Sequence, residues 1–242
     1  MSLETFRFQF GGRNVWGRHL RYPKTPPASL TVGDDGSDSD VAMVTTVLLD
    51  LDGVVRHFDP AHRDAAEDRH GLERGALRQA AFSPDILEPV ITGEISQERW
   101  VALIGDRVGS HEAVHEWMAY RGVLDSALLA LVAELRGRGT TVALLTNGTS
   151  ATAAEVEKFG LANHFDAIFN TADIGFAKTD RRAFEAACAG LGVAPADVFF
   201  TDDSASKLAG AVEIDMVAEH FTDVNTLRYQ LAQLGLLDPT SS

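Results

Sequence analysis

From Val44 onward, short apolar runs alternate with amphipathic stretches. "VTTVLLD" (44–50) is continuous, β-branched and closed by turn residues, which predicts a buried strand. "TTVALLTNG" (140–148), "DAIFNT" (166–171) and "DVFFTDD" (197–203) repeat that pattern, and "DMVAEHF" (215–221) predicts a fifth strand. Between them, 150–159, 180–190, 204–212 and 223–234 carry helical periodicity. Strands alternating with helices of this length imply an α/β fold with a parallel, doubly wound sheet.

One interval breaks the rhythm. Residues 57–122 contain no convincing strand. "PAHRDAAEDRHG", "ERGALRQAAF", "PDILEPVITG", "SQERWVALIGDRV" and "SHEAVHEWMAYR" each predict helix, so an all-helical module is inserted after the first strand. The next helix, 125–137, opens on Asp125 as its N-cap and leads back into the sheet. Trp100, Trp117, Tyr120 and Phe82 are expected in the core of the insert, and His57 and Phe58 near the entrance to a site.

Residues 1–42 show neither period. Pro23, Pro26 and Pro27 and the run "GDDGSDSD" (33–40) predict a flexible N-terminal extension. Met43 stands directly before the first core strand and is a candidate natural start. The expected division is therefore an extension over 1–42, a core of 43–56 with 123–242, and a helical module over 57–122.

The net charge of −14 changes the list of partners. It argues against nucleic acid and against an anionic membrane surface, both of which need basic patches. It does not argue against a small anionic substrate, because a bound metal inverts the local field. Cys188 is the single cysteine, so no disulfide forms within the chain and a cytoplasmic location fits; on its helix it is expected to be buried and inert. No apolar run approaches the roughly 18 residues of a membrane span.

Ligands of an open parallel sheet bind beyond the carboxyl ends of its strands. At those ends this chain places Asp50 and Asp52, then Thr146 and Asn147, then Lys178, then Asp202 and Asp203. Clustered carboxylates repel unless a cation neutralises them, and hard oxygen ligands select Mg²⁺. In that reading Asp50 attacks phosphorus and forms an aspartyl-phosphate, while Asp52 protonates the leaving oxygen and then activates water. Thr146, Asn147 and Lys178 hold the phosphoryl oxygens. Asp50, Asp52, Asp202 and Asp203 form the metal site, Asp52 through its backbone carbonyl at the tight exit that Gly53 permits.

These motifs, in this order, resemble those of the haloacid dehalogenase (HAD) superfamily over about 44–236: "DLDGVV", "LLTNG", "AKTDRRAF" and "FFTDDS". The resemblance implies a Rossmann-like core, an Mg²⁺ cofactor and hydrolysis of small phosphate esters, with the helical insert acting as a cap. The chain departs from the usual pattern at three places. Thr179 follows the motif lysine where proline is usual, Lys207 stands where asparagine is frequent, and Ile214-Asp215 replaces a common Leu-Gly pair.

The expected function is thus a Mg²⁺-dependent phosphatase acting on a small phosphorylated metabolite. A phosphomutase on the same core is the alternative. Two other classes are weaker. "HEAVH" (111–115) matches the helical zinc signature, but Gly109, Ser110 and Glu116 around it suit a helix N-terminus better, with Ser110 as cap. A non-catalytic phosphate-ester-binding protein would lack the nucleophile, and Asp50 is present.

Overall fold

The computed structural model describes residues 43–238 and two strands nearer the N-terminus. Those strands, β1 (Thr5–Phe10) and β2 (Arg13–Arg18), pair antiparallel. The expected N-terminal extension therefore contains strand structure; the rest of 1–42 lies outside the described residues. The signal was present in the sequence, because Phe6, Phe8 and Phe10 alternate with Arg7 and Gln9 ahead of a Gly-Gly pair.

The core follows the apolar runs. Strands β3 (Thr46–Leu49), then β6 (Thr141–Thr146), β7 (Ala167–Asn170), β8 (Val198–Asp202) and β9 (Val217–His220) lie parallel. The missing numbers belong to a two-stranded ribbon, β4 (Arg56–His57) with β5 (Val123–Leu124), which ties together the points where the chain leaves and re-enters the core. The seven-stranded sheet has the order β1-β2-β7-β6-β3-β8-β9, so β3 is the middle of the five parallel strands, flanked by β6 and β8.

Alternate residues of the core strands face opposite layers. Val47, Leu49, Val142, Leu144 and Phe199 pack with Leu128, Leu131, Leu227 and Leu231, which belong to two helices on one side. Leu48, Ala143, Leu145, Phe169 and Phe200 pack with Phe184, Ala187 and Cys188 on the other. Cys188 is buried, and burial pushes its thiol up to about 11, so it is inert as a nucleophile.

The insert carries helices α1 (Pro60–Arg69), α2 (Ala76–Ala81), α3 (Pro84–Ile91), α4 (Gln97–Val108) and α5 (His111–Ala119). Local caps set their starts. Asp59 accepts from the Ala61 N–H with Pro60 in the first turn, Ser96 accepts from the Arg99 N–H, and Ser110 accepts from the Ala113 N–H. The buried Glu67 carboxylate accepts the N–H groups of Gly75 and Leu77 at the start of α2. The five helices bury a core of their own, built on Leu77, Ile86, Val90, Trp100, Ile104 and Val114. Phe82, expected in that core, is instead exposed under the guanidinium of Arg78.

The remaining helices belong to the core layers: α6 (Ser126–Gly137), α7 (Thr152–Lys158), α8 (Thr171–Ile174), α9 (Arg181–Leu191), α10 (Ala209–Val212) and α11 (Val224–Gln233). Asp125 caps α6 through the Ala127 and Leu128 N–H groups. The stretch 204–212 splits into a 3₁₀ turn, Ala205–Leu208, followed by α10. Among the described residues no helix is long and apolar enough to cross a membrane.

Candidate active site

The parallel register brings the strand ends together. Leu49 pairs with Leu144 on one side and with Thr201 on the other, and the Asp50 N–H donates to the Thr201 carbonyl at 3.0 Å. Asp50 and Asp202 therefore leave adjacent strands side by side. The Asp50, Asp202 and Asp203 carboxylates offer oxygens that all lie within 4.8 Å of one another.

Lys178 joins them from the loop after α8. Its ammonium lies 2.5 Å from Asp50 Oδ1 and 2.6 Å from Asp202 Oδ2. The three side chains are 0%, 2% and 0% exposed for Lys178, Asp50 and Asp202, so this is a buried triad. Asn147 holds the lysine loop: its Oδ1 accepts the Lys178 backbone N–H at 2.9 Å. Thr146 is buried at the carboxyl end of β6.

Burial dominates the electrostatics. It pushes Asp50 up to about 6, against Lys178 and with help from the neighbouring Asp202 charge. Burial also works to raise Asp202, but Lys178 and Lys207 together hold that carboxyl below its ordinary value. Asp203 is raised, first by burial.

Asp50 Oδ1 is fixed by two donors, the Lys178 ammonium and the Leu51 N–H at 2.7 Å. Its other oxygen, Oδ2, is buried with no hydrogen-bond partner. An orphaned carboxylate oxygen among three acids is a ready ligand for a hard divalent cation, so the residues present fit one. Asp203 closes over Gly53, which takes φ +97°; an added Cβ there would lie 2.2 Å from Asp203 Oδ2.

Asp52 lies beyond this triad and is 46% exposed. Arg56 grips it with two bonds, Nε to Oδ1 at 2.6 Å and Nη2 to Oδ2 at 3.0 Å. Arg56 also donates to Glu155 Oε2 at 2.8 Å, and Arg121 donates to Glu155 Oε1 at 2.8 Å. Sequence reasoning gave Arg56 no place in the site, and met Lys207 only as a departure from the family pattern near the fourth motif. Lys207 stands 3.6 Å from Asp202 Oδ1 and 3.8 Å from Asp50 Oδ2.

The zinc-like histidines lie elsewhere. His111 pairs with Asp106, Glu116 pairs with Arg69 and His70, and among the described residues the acidic trio is the one group of three side chains placed to hold a metal. His57 is exposed and pairs with Asp125, whereas Tyr120 stacks on His62.

Residues 44–215 match the haloacid dehalogenase-like hydrolase family. The chain belongs to that family. The phosphoserine phosphatase of Thermus thermophilus is 38% identical over 79 residues, covering 32% of this chain and 32% of its own length. A sesquiterpene phosphatase of Aspergillus oryzae is 28% identical over 46% of this chain and 57% of its own. The bifunctional epoxide hydrolase 2 of pig is 26% identical over 80% of this chain and 40% of its own. The HAD-like chain thus spans between about a third and just over half of these relatives. Among solved structures, a HAD family enzyme from Bacteroides thetaiotaomicron in complex with magnesium and inorganic phosphate gives a TM-score of 0.62 at 21% identity, covering 76% of this chain and 98% of that one. A HAD-like hydrolase from Porphyromonas gingivalis gives 0.65 at 17% identity over 78% and 98%. These likenesses establish the Rossmann-like core.

Proposed function

We propose that this HAD-family hydrolase is a Mg²⁺-dependent phosphatase of small phosphomonoesters. The observation that carries the reading is the buried triad: Lys178 bridges Asp50 and Asp202 while Asp50 Oδ2 has no hydrogen-bond partner inside it. Asp50, Asp202 and Asp203 would hold the metal, as would the Asp52 carbonyl. Bound there, Mg²⁺ supplies charge neutralisation for the carboxylates and for the phosphoryl group. The phosphatases among the relatives, and the neighbour crystallised with magnesium and phosphate, support the same chemistry.

Each residue then has a task. A carboxylate oxygen of Asp50 attacks phosphorus and the ester oxygen departs, taking a proton from Asp52. Asp52, now a carboxylate, accepts a proton from water as that water attacks the aspartyl-phosphate. Inorganic phosphate leaves and Asp50 is restored. Lys178, held from below by Asn147, offers its ammonium to the phosphoryl oxygens together with Thr146. The helical insert serves as the cap. It rests on the core beside the site, where the Gln97 N–H donates to Ser150 Oγ at 3.0 Å and Ala177, next to Lys178, packs against the insert's core. One buried cysteine and an acidic chain fit a soluble enzyme of a reducing cytoplasm.

The test is phosphate release from an aryl phosphate and from a panel of phosphorylated metabolites, with Mg²⁺ and with chelator. Turnover with Mg²⁺, lost in chelator and in Asp50→Asn, is the expected result. Turnover that survives Asp50→Asn would overturn the assignment.

A further inference from the structure

The two central carboxylates are bracketed by two ammonium groups. Lys178 takes Asp50 Oδ1 and Asp202 Oδ2 at 2.5 and 2.6 Å from the closed side, with 0% of its side chain exposed. Lys207 faces the opposite oxygens, Asp202 Oδ1 at 3.6 Å and Asp50 Oδ2 at 3.8 Å, with 28% exposed. The oxygen that Lys207 faces on Asp50 is the buried one without a hydrogen-bond partner. Lys207 thus stands against the donors that fit a hard cation, beyond hydrogen-bond reach of Asp50 and only loosely paired with Asp202.

The two lysines differ in freedom. Lys178 is enclosed by the core and its loop is pinned by Asn147. Lys207 rises from the short 3₁₀ turn Ala205–Leu208 on a flexible four-carbon stem with a route to solvent. A divalent cation on Asp50, Asp202 and Asp203 and an ammonium a few ångströms away repel strongly, and the repulsion is relieved when the mobile cation leaves.

We propose that Lys207 is a built-in competitor for the metal site, a tethered cation that occupies the acidic cluster when no metal is bound and that a divalent ion must displace. The proposal rests on the Mg²⁺ reading above. It makes the metal affinity of this chain weaker than its three carboxylates alone would set, and it ties metal loading to a side chain at the rim of the site.

Calorimetric titration of chelator-treated protein with MgCl₂ tests it. Lys207→Met, which keeps the length and removes the charge, should bind Mg²⁺ roughly tenfold more tightly than the unmodified chain, while Lys207→Arg should stay close to it. Melting curves with and without Mg²⁺ provide a second reading: the Met variant should melt lower without metal and gain more on adding it. A Met variant that folds only with Mg²⁺ supports the proposal equally. Affinity that is unchanged or weaker in Lys207→Met, or tightened as much by Arg as by Met, overturns it. If the unmodified chain binds Mg²⁺ and Asp202→Asn does not, the metal reading survives that failure; if neither the unmodified chain nor the Met variant binds, both fall.

Discussion

Arg56 clamps Asp52 at both carboxylate oxygens, at 2.6 and 3.0 Å, and sits between it and Glu155. The planar fork of the guanidinium fixes where Asp52 points, which a lysine could not do. The clamp also spans the molecule's joint, because Arg56 lies in the ribbon with Leu124 and Arg121 closes the far side of Glu155. Asp52→Asn should lower kcat by about 10²–10⁴-fold, the range for loss of an acid–base group. Arg56→Lys should lower kcat by a smaller factor with KM little changed. The double variant should be no slower than Asp52→Asn alone, since Arg56 acts through Asp52. Steady-state kinetics on the four proteins checks this; additive losses would assign Arg56 a separate task.

The Asp50–Lys178 pair carries a pH signature in the metal-free protein. Burial raises Asp50 from 3.8 to about 6, so the folded chain binds that proton more tightly than the unfolded one. The associated stability is present below about pH 4 and is lost as pH rises through 6. An asparagine at this position does not titrate. In chelator, Asp50→Asn should therefore gain stability relative to the unmodified chain between pH 4 and 6, by a few kcal/mol at most, and the difference should level off above that. Urea denaturation across this range measures it. Lys178→Met should be destabilised by about 3–5 kcal/mol at neutral pH, because it leaves two buried carboxylates with only the more distant ammonium of Lys207.

Gly53 couples backbone geometry to the acidic cluster. Its φ of +97° is open to glycine, and Asp203 occupies the space a side chain would fill. Gly53→Ala should combine the left-handed penalty of about 1 kcal/mol with displacement of Asp203. The expected outcome is a lower melting temperature together with weaker Mg²⁺ binding in calorimetry. A stability loss with metal affinity intact would separate Asp203 from the metal site.

Much of this architecture could be read from local patterns. The run "VTTVLLD" forms a strand because Val47 and Leu49 face one layer and Leu48 the other, so no polar alternation interrupts it. Ser110 caps α5, which is why "HEAVH" reads as a helix start. What local patterns did not reveal depends on distance in sequence. Arg56 and Glu155 meet across 99 residues, and nothing near either announces the other. Lys207 follows Asp202 closely in sequence, but it reaches Asp50 only because β8 lies beside β3 and a 3₁₀ turn follows it. The β1–β2 hairpin has a strand period in "TFRFQF", but it lies in a segment dominated by the prolines and acidic residues of 23–40. Phe82 carries an apolar ring onto the surface because α2 is only six residues long, and the ring lies at its C-cap.

Asp215 is the last departure with a physical consequence. Among the described residues it alone combines a side chain with positive φ, at 64°, in the left-handed region that glycine enters freely. It ends the segment that follows α10: its N–H donates to the Val212 carbonyl at 3.1 Å, and the next N–H, of Met216, donates to Ala211 at 3.1 Å. The chain must reverse here to enter β9, so the conformation is imposed by the fold, whichever residue occupies the position. Aspartate tolerates it better than most residues, yet glycine carries no Cβ penalty. Asp215→Gly should therefore stabilise the protein by up to about 1 kcal/mol, less the extra chain entropy of glycine in the unfolded state. Asp215→Val, with a β-branched side chain in the same backbone state, should be destabilising by more than that gain. Denaturation midpoints of the two variants give opposite signs if the turn is held at positive φ, and the same sign if it relaxes.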